Sequence, residues 1–126
     1  MVTSNTNVAR IPYYLNQGSS LTSRVANYIE KNFRTDITID SLCEMFFCSK
    51  STLIHSFKED YNTTVMNFLK ARRIKEIKFW LTISDRPVSD IANDNGFNTL
   101  PYFYKYFYRL EGMTPQQYRE KNKTRN

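Results

Sequence analysis

At 126 residues, with 40% hydrophobic and 15% aromatic residues and only three glycines and four prolines, the chain can build its own core, which excludes a disordered or fibrous protein. Eighteen Lys and Arg against 12 Asp and Glu leave a net charge of +6, which favours a polyanionic partner over an acidic-protein or cationic one. A single His and two cysteines exclude a zinc-ligand set and a disulfide framework, and no run approaches the about 18 apolar residues of a membrane span, so a reducing cytoplasm is the expected compartment, with no membrane as partner.

Residues 1–18 carry polar residues, Pro12 and Gly18 without sustained periodicity and are expected to form an irregular arm or linker remnant. The N-terminus has no apolar stretch behind a basic one, so secretion is not indicated either. From Ser20, an N-cap candidate, Leu21, Val25, Ile29 and Phe33 recur every four residues and predict a first helix ending near Asn32. Thr38 can cap a second helix in which Leu42 and Cys43 face inward, and Ser49 can cap a third, with Leu53 and Phe57 inward, running to about Asp60. Cys43 reads as a small core residue and Cys48 as a turn residue, with a redox switch as the alternative. Asn62 stands where a C-terminal turn needs a residue tolerant of positive φ.

After Thr64, a further cap candidate, comes the longest predicted helix, with Val65, Phe68, Leu69, Ile74, Ile77 and Leu81 on one side and Lys70, Arg72, Arg73, Lys75 and Lys78 on the other. Pro87 stands near the start of the next helix, where Ile91 and Ala92 face inward. Gly96 can take a left-handed conformation there, and Phe97 can drop into the angle before a helix capped by Asn98 or Thr99, with Phe103 and Phe107 on its apolar face. Pro101 falls in the first turn, where its missing N–H is not needed, and Gly112 stops the helix. Thr114, Pro115 and Gln117 spell a T-x-x-Q capping box, and residues 121 to 126 are expected to fray.

The two halves repeat. Leu42 corresponds to Ile91, Cys43 to Ala92, Leu53 to Phe103, Phe57 to Phe107, Asn62 to Gly112, Thr64 to Thr114 and Phe68 to Tyr118. Each half is a helix-turn-helix pattern. This sets the expected domains: a first subdomain over 19–62, a connecting helix over 64–82, a second subdomain over 83–121 and a basic tail over 122–126. Phe47 stands where the second copy has Gly96, so if that turn needs positive φ the first copy is strained or turns differently.

In such a unit the second helix enters the major groove, where each base pair shows a distinct donor and acceptor pattern. The solvent side of the first such helix offers Lys50, Ser51, Thr52, Ile54, His55 and Ser56; that of the second offers Thr99, Leu100, Pro101, Tyr102, Tyr104 and Lys105. The second set holds fewer hydrogen-bonding groups and is expected to read shape more than sequence. Phosphate contacts are expected from Ser49, Lys58, Arg72, Arg73, Asn98, Arg109 and Arg119, drawing on side chains and on free N–H groups at helix starts. Unlike surfaces on one chain predict successive major grooves, about 34 Å apart, on a non-palindromic duplex. His55 reads equally as a plain exposed imidazole. Several of the tyrosines at 102, 104, 106, 108 and 118 are expected to pack against or edge the core, since they share helical faces with Phe103 and Phe107, rather than to form a single-strand stacking platform.

The residues Ile91-Ala92, Gly96-Phe97, Tyr102-Phe103, Phe107, Gly112 and Thr114-Pro115 through Tyr118-Arg119 resemble the signature of the AraC/XylS family of bacterial transcription regulators, and the similarity extends from about Leu21 to Arg119. The resemblance implies an all-α domain of about seven helices, two helix-turn-helix subdomains joined by a long linker helix, and control of promoters, most often by activation through contact with RNA polymerase. It implies a DNA-binding domain that is itself monomeric, and it places groove contacts at Ser51, Ile54 and His55 and at Leu100, Pro101, Tyr104 and Lys105. Ile54 and Pro101 depart from the arginine or glutamine common there, and His55 and Lys105 stand for frequent arginines. Most members carry a separate effector or dimerisation domain, which residues 1–18 are too short to hold. An enzyme is excluded by inventory, since no nucleophile stands at a definable spacing from a base and no glycine-rich phosphate cradle is present, and no cofactor or metal is expected. A helical protein-interaction module is the rival reading.

Overall fold

The computed structural model describes residues 20–123, and these fold into seven helices with no strand: α1 Leu21–Asn32, α2 Ile39–Phe46, α3 Lys50–Tyr61, α4 Val65–Ile83, α5 Val88–Asp94, α6 Leu100–Glu111 and α7 Pro115–Asn122. The arm expected over 1–18 lies outside these residues, as does the last part of the tail. Helix α7 continues to Asn122 and the Lys123 ammonium pairs with Asp85, so the fraying expected from residue 121 does not begin there. The chain divides into two units, one of residues 20–32 and Ile37–Leu69, the other of Phe33–Asp36 and residues 70–123. The division falls within α4, and the short segment after α1 belongs to the second unit, unlike the continuous first subdomain expected over 19–62.

In the first unit each helix start is capped by the hydroxyl that the pattern marks. Ser20 Oγ accepts from the Ser23 N–H at 3.1 Å. Thr38 Oγ1 accepts from the Ser41 N–H at 2.9 Å while Ser41 Oγ accepts from the Thr38 N–H at 3.0 Å, a reciprocal box that satisfies two donors otherwise left open. Ser49 Oγ takes the Thr52 N–H at 3.1 Å. Val25, Ala26 and Ile29 of α1, Leu42 of α2, Leu53 and Phe57 of α3, and Val65 and Leu69 at the start of α4 are buried. Cys43, expected inside, is only half-buried.

The second unit repeats this plan. Ile74, Ile77 and Leu81 of α4 close on Ile91, Ala92, Phe97, Phe103, Tyr106 and Phe107, with Trp80, Val88 and Tyr118 packed against them. Phe97 lies 5.2 Å from Phe103 between ring centroids, inside the angle of the two helices. Thr99 takes the N-cap position of α6 without a side-chain cap bond, so its hydroxyl is left outward. Thr114 and Gln117 form the expected capping box.

The repeat is written in the backbone as well as in the core. Among the described residues four take positive φ: Phe47 at 56°, Asn62 at 56°, Gly96 at 98° and Gly112 at 74°. They fall at matched positions in the two copies. The Cys48 N–H bonds the Cys43 carbonyl and the Phe97 N–H bonds the Ala92 carbonyl, each at 3.1 Å, the six-residue closure of a Schellman turn. The helices that follow end alike, with Asn62 N–H on the Lys58 carbonyl and Gly112 N–H on the Tyr108 carbonyl, both at 2.8 Å.

Arg73, expected on the polar side of the long helix, is instead buried. Its Nε donates to the Phe33 carbonyl at 2.7 Å and an Nη donates to the Thr35 carbonyl at 2.8 Å. Burial pushes the guanidinium's pKa down, with Asp36 acting against it. The carbonyls that recruit it come from a segment 38 and 40 residues earlier, which no helical periodicity displays. A Cβ on Gly96 would stand 2.5 Å from Arg73 Nε, so this glycine serves both the turn and the arginine beside it, whereas one on Gly112 would meet nothing within 4 Å.

Three stability measurements test this account. Gly96→Ala should cost more than Gly112→Ala by chemical denaturation, because only the first adds a clash to the about 1–2 kcal/mol of a left-handed backbone. Phe47→Gly should raise stability by about 1 kcal/mol, since the ring is 93% exposed and contributes little burial to offset its strained φ. Arg73→Met should lose about 1–3 kcal/mol through the two carbonyls left unpaired.

Candidate nucleic-acid interface

Helices α3 and α6 present their outward faces just after these turns. On α3, Leu53 and Phe57 anchor the inner side, which turns Lys50, Ser51, Thr52, Ile54 and His55 to solvent, all of them exposed. Ser56 is half-buried at the edge of this face. Ser51 and His55 follow one another on a single line, one turn apart. Lys50 pairs with Asp40 at 3.1 Å with both partners largely solvated, a link that water and salt easily replace. Thr52 Oγ1 lies 2.9 Å from Ser49 Oγ, so two hydroxyls sit together where the first N–H groups of α3 point outward.

On α6, Phe103, Tyr106 and Phe107 hold the inner side, and Thr99, Leu100, Pro101, Tyr102, Tyr104 and Lys105 are exposed. Leu100 and Tyr104 form one line and Pro101 and Lys105 the next, so this face is chiefly apolar with a cation at its edge. Tyr104, Lys105, Tyr108 and Arg109 continue it toward Gly112 and Thr114, where the six line a shallow open depression. Tyr108 is exposed, and its place four residues after Tyr104 is the signal that puts it on this face. Tyr106 is the tyrosine that packs, buried against Phe97, and burial raises its hydroxyl's pKa, with Tyr102 adding to the rise and Arg109 opposing it.

The cations expected at phosphate separate into two groups. Lys58 and Arg109 are exposed, Arg109 with its guanidinium 5.2 Å from the Tyr106 ring centroid, and Ser49 and Asn98 are exposed at the starts of the two helices. Arg73 is interior. Arg72 lies 4.2 Å over the Phe33 ring and pairs with Glu76 at 3.2 Å, and Arg119 donates to the Leu81 carbonyl at 3.2 Å and the Arg86 carbonyl at 2.6 Å. These three arginines hold the second unit together, so they leave the set of free phosphate ligands. Lys70 has its ammonium 5.2 Å from the Tyr102 ring and 5.4 Å from the Tyr106 ring, which fixes the second face at its α4 side.

A helix-turn-helix domain family matches residues 42–121. A Staphylococcus aureus HTH-type transcriptional regulator is 35% identical over 97 residues, which are 77% of this chain and 13% of that protein, so the chain spans only a small part of that relative's length. The C-terminal domain of AraT, a response regulator from Geobacillus stearothermophilus, superposes with a TM-score of 0.81 at 27% identity over 86% of this chain and 90% of that one. The DNA-binding domain of the global transcriptional factor AdpA, solved in complex with a target DNA, shares the fold with a TM-score of 0.76 at 20% identity over 82% of this chain and 93% of that one.

Proposed function

Because the chain belongs to the AraC-type helix-turn-helix family of DNA-binding transcription regulators, we propose that it controls promoters by setting α3 and α6 in successive major grooves of an asymmetric site on double-stranded DNA. The observation that carries this reading is the matched pair of left-handed turns, each followed by a helix with a buried inner side and an exposed, unlike outer side. Lys50, Ser51, Thr52, Ile54 and His55 form the base-reading set. Hydroxyls, an ammonium and an imidazole there can take both donor and acceptor patterns in the groove, while Ile54 suits a thymine methyl. Thr99, Leu100, Pro101, Tyr104 and Lys105 form the second set, which fits groove shape and methyl groups with fewer directed bonds.

Phosphate is taken by Lys58 and Arg109, by the hydroxyl of Ser49, by Asn98, and by the first N–H groups of the two helices. The domain binds as a monomer, since its two unlike readers already span a site without twofold symmetry. Regulation is by activation, through contact with RNA polymerase in the cytoplasm.

Selection of duplexes from a random library, followed by footprinting of the enriched site, tests the reading. A non-palindromic site is expected, with its α3 half less tolerant of substitution than its α6 half; failure to enrich any duplex over random DNA overturns it. Lys105→Ala and Arg109→Ala should weaken binding with unchanged thermal unfolding. Arg109→Ala should also lower the slope of log K against log salt by about 0.9, one phosphate contact's share, as read by fluorescence anisotropy.

A further inference from the structure

The Schellman closure that ends α2 does more than turn the chain. Its geometry brings the side chain three residues inside the helix end against the side chain two residues beyond it, normally as an apolar contact. In the second unit those positions hold Ala92 and Phe97, both buried. In the first they hold Cys43 and Cys48, two free, half-buried thiols. A 3.1 Å bond from the Cys48 N–H to the Cys43 carbonyl limits their Cα separation to about 7 Å by backbone bond lengths, at the edge of the about 4.4–6.8 Å that a disulfide spans.

We propose that Cys43 and Cys48 are a reversible dithiol switch, closed to an intramolecular disulfide by a hydroperoxide, and that closure weakens DNA binding by the first reader. One thiolate attacks the peroxide oxygen, the O–O bond breaks, and a sulfenic acid and an alcohol or water result. The second thiolate then attacks that sulfur and water leaves. Two thiols are oxidised and one hydroperoxide is reduced, with both thiol protons ending in the alcohol and water. Among the described residues no third Cys, His, Asp or Glu joins the pair to make a metal site.

Burial raises the pKa of the Cys48 thiol, with Cys43 adding to the rise by charge and by its hydrogen bond, and the Arg24 guanidinium pulls the other way. Burial therefore favours the neutral form of the Cys48 thiol, and the Arg24 guanidinium favours its thiolate. Bringing the two sulfurs to a bond of about 2.05 Å draws Cys48 toward α2. Ser49, the next residue, is the N-cap of α3, and Lys50 and Ser51 open the reading face. Phe47, between the two cysteines, is already held at a φ of 56°, so the turn has little freedom to absorb the shift.

This coupling to DNA rests on the function proposed above, and the test separates the two. The whole chain is treated with hydrogen peroxide and followed by intact mass, thiol titration and peptide mapping. Loss of both thiols with loss of two hydrogen atoms, a linked Cys43–Cys48 peptide in a monomer, and full reversal by dithiothreitol are expected. Linked dimers, or sulfinic and sulfonic acids in place of the link, overturn the switch. On the duplex enriched from the random library, the oxidised chain should bind about tenfold more weakly, the loss of one base contact. The Cys43→Ala chain, which copies Ala92 and cannot close, should hold its affinity through the same treatment. Equal affinity of the reduced and closed chains overturns the coupling, and so does an equal loss in Cys43→Ala. Should no duplex be enriched, the DNA reading fails while mass and thiol count still decide the disulfide.

Discussion

One backbone hydrogen bond, made twice, governs the placement of both exposed helices within their units. The amide two residues past the helix end returns to the carbonyl three residues inside it, Cys48 to Cys43 and Phe97 to Ala92, each at 3.1 Å. This closure is reached only when the intervening residue has positive φ, a conformation that a side chain resists by about 1–2 kcal/mol. Gly96 meets the demand without steric cost, whereas Phe47 meets it under strain. The direction in which the chain leaves α2 and α5 follows from that bond, and with it the point at which α3 and α6 begin.

The parts of the fold that the sequence displays are those set by near neighbours. Thr38, Ser49, Thr64 and Thr114 could be marked as caps because a hydroxyl reaches an N–H three residues on, a relation contained in a few residues. Asn62 and Gly112 could be marked as stops for the same reason. The mismatch of Phe47 with Gly96 was visible as a conflict, and the backbone settles it in favour of strain over a different turn.

What could not be read depends on residues far apart in the chain. Arg73 sits among cations at helical spacing and reads as one more solvated charge until Phe33 and Thr35 bring their carbonyls to it. Arg119 hides in the same way, because its partners are the carbonyls at the end of α4 and just beyond it. With Arg72 over the Phe33 ring and paired with Glu76, three of the four arginines expected at phosphate are thereby structural. Cys43 is less covered than its repeat partner Ala92 for a local reason that only pairing reveals: a small Cys48 stands where a large Phe97 seals the second turn.

The copies therefore share a backbone and distribute rigidity differently. In the second, Phe97 is packed between the helices, Arg73 lies beneath Gly96, and Lys70 caps the ring pair of Tyr102 and Tyr106. In the first, the corresponding turn has an outward phenylalanine and two thiols, so local opening costs less there. On the proposed reading this division suits the two surfaces. A face that fits groove shape with Leu100, Pro101 and Tyr104 has few directed bonds to correct a misplaced helix, and it depends on a stiff support. A face of Lys50, Ser51 and His55 reads through directed bonds, so it registers a shift of its helix start. Its weaker turn is then the place where a chemical change can be felt.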